Sequence, residues 1–173
     1  GRPIGETYCR HPRFLPTRRP EANDLLMAEI LGLIPARGGS KGIPGKNLAP
    51  LCGRPLLSYT CDAAVQSKHI TRTIISTDSL EIAKVAQEHN VERPFLRPPE
   101  LSGDDAPMLS VITHALSILE ENEGYTPDAV ALLQPTSPLR RAEHIDSAIS
   151  LLIETGADST VTVIQVPHHF NPA

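Results

Sequence analysis

Short apolar runs alternate along this chain with amphipathic stretches of helical period, and that alternation leaves few folds open to it. Residues 29–36 (EILGLIPA), 73–77 (TIIST), 128–134 (DAVALLQ) and 159–164 (STVTVI) read as strands. Between them, residues 55–68, 79–89, 108–122 and 141–155 carry apolar positions at helical spacing. The helix over 55–68 takes Pro55 into its first turn and places Leu56, Leu57, Cys61, Ala64 and Val65 on one side. Asp78 with Glu81 reads as a capping box for the helix over 79–89, and Gly156 is placed to stop the helix over 141–155. Strands that take turns with helices pair in parallel and bury both faces. The expected fold is therefore α/β, a Rossmann-like three-layer α/β/α arrangement around a mostly parallel sheet. In such sheets ligands bind beyond the carboxyl ends of the strands. The loops at 37–47, 78–79, 97–107 and 134–140 are expected to share that rim.

Composition agrees with this architecture. Aromatic residues make up 3% of the 173 and Trp is absent, so the core must be built from Leu, Ile, Val and Ala. The length suits one domain. We expect residues 1–26, where Pro3, Pro12, Pro16 and Pro20 are scattered among arginines without any period, to form a disordered leader, with a basic docking or targeting arm as the functional alternative. Residues 27–173 then form the folded domain. The formal charge of −4 gives no general attraction to nucleic acid or to an anionic membrane surface, so any anion site must rest on local cations. No run approaches the roughly 20 apolar residues that span a bilayer, and the chain reads as soluble. Cys9, Cys52 and Cys61 are odd in number and lack Cys-x-x-Cys spacing, which points away from disulfides and zinc and toward a reducing, cytoplasmic setting. Cys52 and Cys61 are expected to be small packing residues.

The chemistry is concentrated directly after the first strand. Arg37, Lys41 and Lys46 supply three cations within ten positions, and Gly38, Gly39, Gly42 and Gly45 let the backbone turn and bring its amides close to a ligand. Pro44 stiffens the loop, which lowers the ordering cost of binding. A polyphosphate is the matching ligand; the plain alternative is a solvated basic turn. The P-loop pattern is not met, because its Gly falls where Ser40 stands and its Ser or Thr where Asn47 stands. A Gly-x-Gly-x-x-Gly dinucleotide fingerprint is also absent.

The stretch IPARGGSKGIPGKN (34–47) resembles the signature of the acylneuraminate cytidylyltransferases, the CMP-sialic acid synthetases. ISTD (75–78), LRPPEL (96–101) and LLQPTSPLR (132–140) resemble later motifs of that family, in order, so the likeness spans roughly residues 28–170. The resemblance implies transfer of CMP from CTP to the anomeric hydroxyl of a sialic acid or related 2-keto acid sugar, with release of pyrophosphate and a requirement for Mg²⁺. It also implies a homodimer. On this resemblance Arg37 and Lys46 hold the triphosphate and act in catalysis. Gly38, Gly39, Ser40, Lys41, Asn47 and Arg97 serve the nucleotide, and Gln134 lies near the sugar or ribose. Plainer roles are a surface ion pair with Glu100 for Arg97 and a backbone-satisfying amide for Gln134.

The likeness weakens at the metal. No carboxylate stands beside Gln134, Pro135 and Thr136, where many sugar nucleotidyltransferases place one, and the family's paired aspartates belong to a later segment. By this reading the domain is incomplete at its C-terminal end. Asp78, Asp104 and Asp105 are the remaining rim carboxylates and weak metal candidates, since an Asp beside a helix start is more often a cap. Met108 falls where relatives often carry a small hydroxylated residue near the base. His168 and His169 resemble the turn into the dimer region, and a loop or interface role suits them better than a metal role. A non-catalytic nucleotide-binding fragment lacking the metal aspartates is the alternative function.

Overall fold

A computed structural model describes residues 28–39 and 42–163. The leader over 1–26, Ser40, Lys41, His168 and His169 lie outside the described residues. In chain order the elements are β1 (Ile30–Pro35), β2 (Pro50–Leu51), β3 (Arg54–Pro55), α1 (Leu56–Val65), β4 (Arg72–Ser76), α2 (Leu80–Glu88), α3 (Met108–Glu123), β5 (Ala129–Leu132) and α4 (Ala142–Thr155). Single 3-10 turns occupy Lys46–Leu48 and Pro99–Leu101.

The main sheet has three strands in the order β4-β1-β5, all parallel. Leu33 of β1 stands opposite Ile74 on one side and Leu132 on the other. Every residue of β1 is buried, as the continuous apolar run at 29–36 requires of a strand covered on both faces. Its side chains alternate between two cores. Ile30 and Ile34 join Leu57, Cys61, Ile82, Ala86, Ile145 and Ile149 from α1, α2 and α4. Leu31 and Leu33 join Ile74, Ala115 and Leu119 beneath α3. These are the three expected layers.

Helix ends explain the boundaries. Gly124 and Gly156 stop α3 and α4 in the left-handed conformation, with φ of 64° and 60°. The start of α2 corrects the sequence reading. Ser79, not Asp78, caps that helix, its Oγ accepting from the Ile82 N–H at 3.3 Å. The carboxylate of Asp78 is engaged elsewhere, in the loop after β1.

The strand expected over 159–164 is not formed in its described part. Residues 159–163 carry no strand, and Val161 and Val163 are 81% and 86% exposed. Their β-branched pattern favours extended backbone, but a strand requires a partner edge, and none of the strands β4, β1 and β5 pairs with this segment.

Cysteine placement is mixed. Cys61 is fully buried, and burial pushes its thiol pKa up to about 12, so it stays protonated at physiological pH. Cys52 is exposed, contrary to the packing role expected of it. It sits with Gly53 at the tip of an unforeseen β2–β3 hairpin, where both residues take positive φ, 49° and 81°. That pairing is what a two-residue hairpin turn of matching twist demands. A thiol-specific reagent is accordingly expected to label Cys52 in the native chain and Cys61 only after denaturation. Peptide mapping of the labelled protein checks this, and native labelling of Cys61 would contradict its burial.

The hairpin is tied to the helices by charge. The Asp62 carboxylate accepts from Arg54 at 2.5 Å and pairs with His89 Nδ1 at 2.6 Å. Burial pulls the Asp62 pKa up, but the bonds from Arg54 and His89 outweigh it and hold the group below its ordinary value.

Candidate functional site

Three of the four expected rim segments, those at 37–47, 97–107 and 134–140, enclose one pocket of about 270 Å³ beyond the carboxyl ends of β1, β4 and β5, whereas residues 78–79 do not line it. The loop after β1 contributes Arg37, Gly39, Lys46 and Asn47. The segment after β4 contributes Arg97, Leu101, Gly103, Asp104 and Ala106, and the loop after β5 contributes Gln134, Pro135 and Thr136. Met108 and Val111, in the first turn of α3, close the apolar side together with Pro35.

Local structure explains how the first loop is held. Gly38 donates its N–H to Asp78 Oδ1 at 2.7 Å, which fastens the end of β1 to the end of β4. A Cβ on Gly38 would lie 3.2 Å from the Ser79 Cβ, so the backbones approach this closely because residue 38 has no side chain. Gly45 takes φ 62° and turns the chain into the 3-10 segment that presents Lys46 and Asn47. Asn47 is buried, and its Nδ2 donates to the Arg37 carbonyl at 2.9 Å. The amide of Asn47 thus braces the loop from inside, a positioning function that spacing alone did not reveal.

Arg97 is the deepest cation, only 5% exposed. Its Nε donates to Ser76 Oγ at 3.0 Å, its Nη2 donates to the Ser76 carbonyl, and its N–H reaches the Thr77 carbonyl at 2.7 Å. The ion pair with Glu100 entertained from the sequence is not formed. Burial lowers the Arg97 pKa, Asp78 opposes that shift, and Arg37 lowers it further. A guanidinium does not deprotonate in a protein, so the cost of this desolvation appears as an attraction for an anion.

Arg37 stands nearer solvent, with its guanidinium paired to Asp104. Three cations, Arg37, Lys46 and Arg97, thus line the pocket against a single lining carboxylate, in a chain whose formal charge is −4. Gln134 is exposed at the pocket wall, and its carbonyl accepts from Arg140 Nη2 at 3.3 Å, which closes the loop after β5.

The metal candidates separate. Asp104 lines the pocket, Asp78 is spent on the Gly38 amide, and Asp105 is exposed and does not line the pocket. Among the described residues no group of three His, Cys, Asp or Glu side chains is placed to hold a metal ion. The apolar lining by Leu101, Ala106 and Val111 was not read from the sequence, although Met108 and Val111 at i and i+3 of a helix start gave a usable signal. Met108 is 37% exposed at the pocket mouth. No helix among the described residues is long and apolar enough to cross a membrane.

Comparison with known proteins identifies the family and the fold. The chain is 42% identical over 126 residues to an N-acylneuraminate cytidylyltransferase of Escherichia coli O18:K1:H7, covering 73% of this chain and 29% of that protein. It is 40% identical over 127 residues to the CMP-N,N'-diacetyllegionaminic acid synthase of Legionella pneumophila, covering 73% of this chain and 54% of that one. The chain thus spans about half or less of the length of these relatives. Among solved structures, a CMP:2-keto-3-deoxy-manno-octonic acid synthetase complexed with CTP superposes with a TM-score of 0.60 at 20% identity, over 75% of this chain and 49% of that one. That likeness establishes the parallel α/β fold. The sequence pattern described as Cytidylyltransferase matches residues 31–171, and the chain belongs to this family.

Proposed function

We propose that this chain carries the nucleotide site of an enzyme that transfers CMP from CTP to a sialic acid or related 2-keto acid sugar, giving a CMP-sugar and pyrophosphate. The observation that carries the reading is the convergence of Arg37, Lys46 and Arg97 on one pocket with an apolar wall. Three cations suit a triphosphate, and the wall formed by Pro35, Met108 and Val111 suits the flat face of a base. The acidic-sugar class rests on the relatives that act on acylneuraminic and legionaminic acids.

In the transfer, the sugar's anomeric oxygen bonds to the α-phosphorus and the bond from that phosphorus to the bridging oxygen breaks. Pyrophosphate leaves with the electron pair, and the hydroxyl proton passes to solvent. Arg37 and Lys46 would stabilise the charge that accumulates on the leaving group, Arg97 would hold the nucleotide from below, and Gln134 would meet the sugar or ribose. Lys41, Ser40 and the amide of Gly39 belong to the same proposed cradle, while Gly38, whose own amide is committed to Asp78, shapes its backbone. Magnesium, when bound, would neutralise phosphate charge. The described residues do not build a cage for it, so the ion would arrive on the phosphates of the nucleotide. A cytoplasmic location and a homodimer complete the reading.

That shortage of carboxylates favours a second reading, a nucleotide-binding domain without turnover. Calorimetric titration of CTP, with GTP, UTP and ATP beside it, tests the site, and pyrophosphate release from CTP with an acidic sugar tests the reaction. Selective CTP binding with turnover is expected. CTP binding without turnover would support the second reading, and absence of CTP binding would sink both.

A further inference from the structure

The proposed phosphate cradle already contains a carboxylate. Asp104 Oδ1 is paired with Arg37 Nη2, both residues line the pocket, and their side chains are 27% and 29% exposed. We propose that Asp104 is a self-occluding latch: it occupies the Arg37 guanidinium in place of phosphate and must be exchanged out when a polyphosphate enters. This rests on the reading of the pocket as a triphosphate site.

The argument starts from charge. A polyphosphate seated on Arg37 would bring several negative charges to within a few ångströms of the Asp104 carboxylate, and like charges at that range repel by about 1 kcal/mol even in water and more in a partly closed pocket. Arg97 and Lys46 draw the same anion inward but do not relieve that repulsion, so the carboxylate has to leave.

The turn that carries Asp104 lies at the surface, outside the core. Asp104 sits in an exposed turn in which the Ala106 N–H reaches the Gly103 carbonyl at 3.4 Å. The anchor lies one step earlier, where Ser102 donates from Oγ to the Pro98 carbonyl at 3.1 Å and from N–H to the Pro99 carbonyl at 3.0 Å. The proposed exchange moves this turn and leaves the 3-10 segment, anchored through Ser102, in place. Arg37, in contrast, is held at its backbone by the Asn47 amide. A binding site whose competent form is only a fraction of the population loses affinity by that fraction. For a partly exposed pair the expected loss is about threefold to tenfold.

The test titrates inorganic tripolyphosphate and CTP in EDTA into the wild-type chain, Asp104→Asn, Asp104→Ser and the control Glu100→Gln. The control removes one carboxylate from the same rim without touching the pocket. Both Asp104 variants are expected to bind each anion about threefold to tenfold more tightly than wild type, with Glu100→Gln within about twofold. An equal gain in the control would reduce the effect to general electrostatics and overturn the latch. Unchanged or weaker binding by both Asp104 variants would also overturn it, with the phosphate site left standing because wild type still binds. If no form of the chain binds either anion, the latch and the proposed function fall together.

Discussion

Replacing Lys46 by Ala is expected to weaken CTP binding about 30-fold to 150-fold, the effect of losing one charge-assisted contact of about 2–3 kcal/mol to phosphate. The fold should survive the change. Lys46 opens a 3-10 turn through its backbone, its N–H reaching the Ile43 carbonyl at 3.1 Å and its own carbonyl accepting from Ala49 at 3.2 Å. Truncating the side chain leaves both bonds in place. Calorimetry with CTP, alongside a thermal scan of the same sample, separates the two effects. Unchanged CTP affinity would remove the loop from the nucleotide site, whereas a large fall in melting temperature would make the residue structural.

Leu33→Ala addresses the scaffold instead, with an expected loss of about 3–4 kcal/mol of folding stability. Leu33 is fully buried at the centre of β1, opposite Ile74 and Leu132, and packs beneath α3 with Ala115 and Leu119. Removing its branched end leaves a cavity that a sheet clamped on both sides cannot close. Because domains are stable by only about 5–15 kcal/mol, the melting temperature should fall on the order of 10 °C. The comparison is Leu139→Ala, where the side chain is 87% exposed and the expected change stays within about 0.5 kcal/mol. Urea unfolding of both variants measures the contrast. Similar losses in the two would mean that β1 does not organise the core.

These predictions divide the molecule as its own physics does. A site on loops at the rim of a buried parallel sheet can be altered in charge with little effect on stability, while a change in the sheet is felt by every loop it carries. Asp78 is the exception that joins the levels. Its bond to the Gly38 amide links the ends of β1 and β4, so it acts on the rim through the backbone and not through a ligand.

The period of the apolar residues was enough to place β1, β4, β5 and the four α-helices to within a few residues, because helix and strand choice depends mainly on neighbours a few positions away. The loop's glycines and cations were legible because they lie within one short stretch, and the family likeness because it rests on four short motifs in order. Partners at long range were not. Sequence proximity suggested Asp78 as a helix cap and Glu100 as the mate of Arg97, but Ser79 caps the helix and Arg97 bonds to Ser76, 21 positions away. The run over 159–163 has the composition of a strand without the neighbouring edge that would make it one. Arg37 and Asp104 are separated by 67 positions. By itself the sequence determined a parallel α/β chain with a cationic, glycine-rich loop behind its first strand. Only the tertiary structure decided that Arg37, Lys46, Arg97 and Gln134 face one pocket and that Asp104 sits on Arg37, because such contacts depend on how the sheet orders its strands and routes the loops between them.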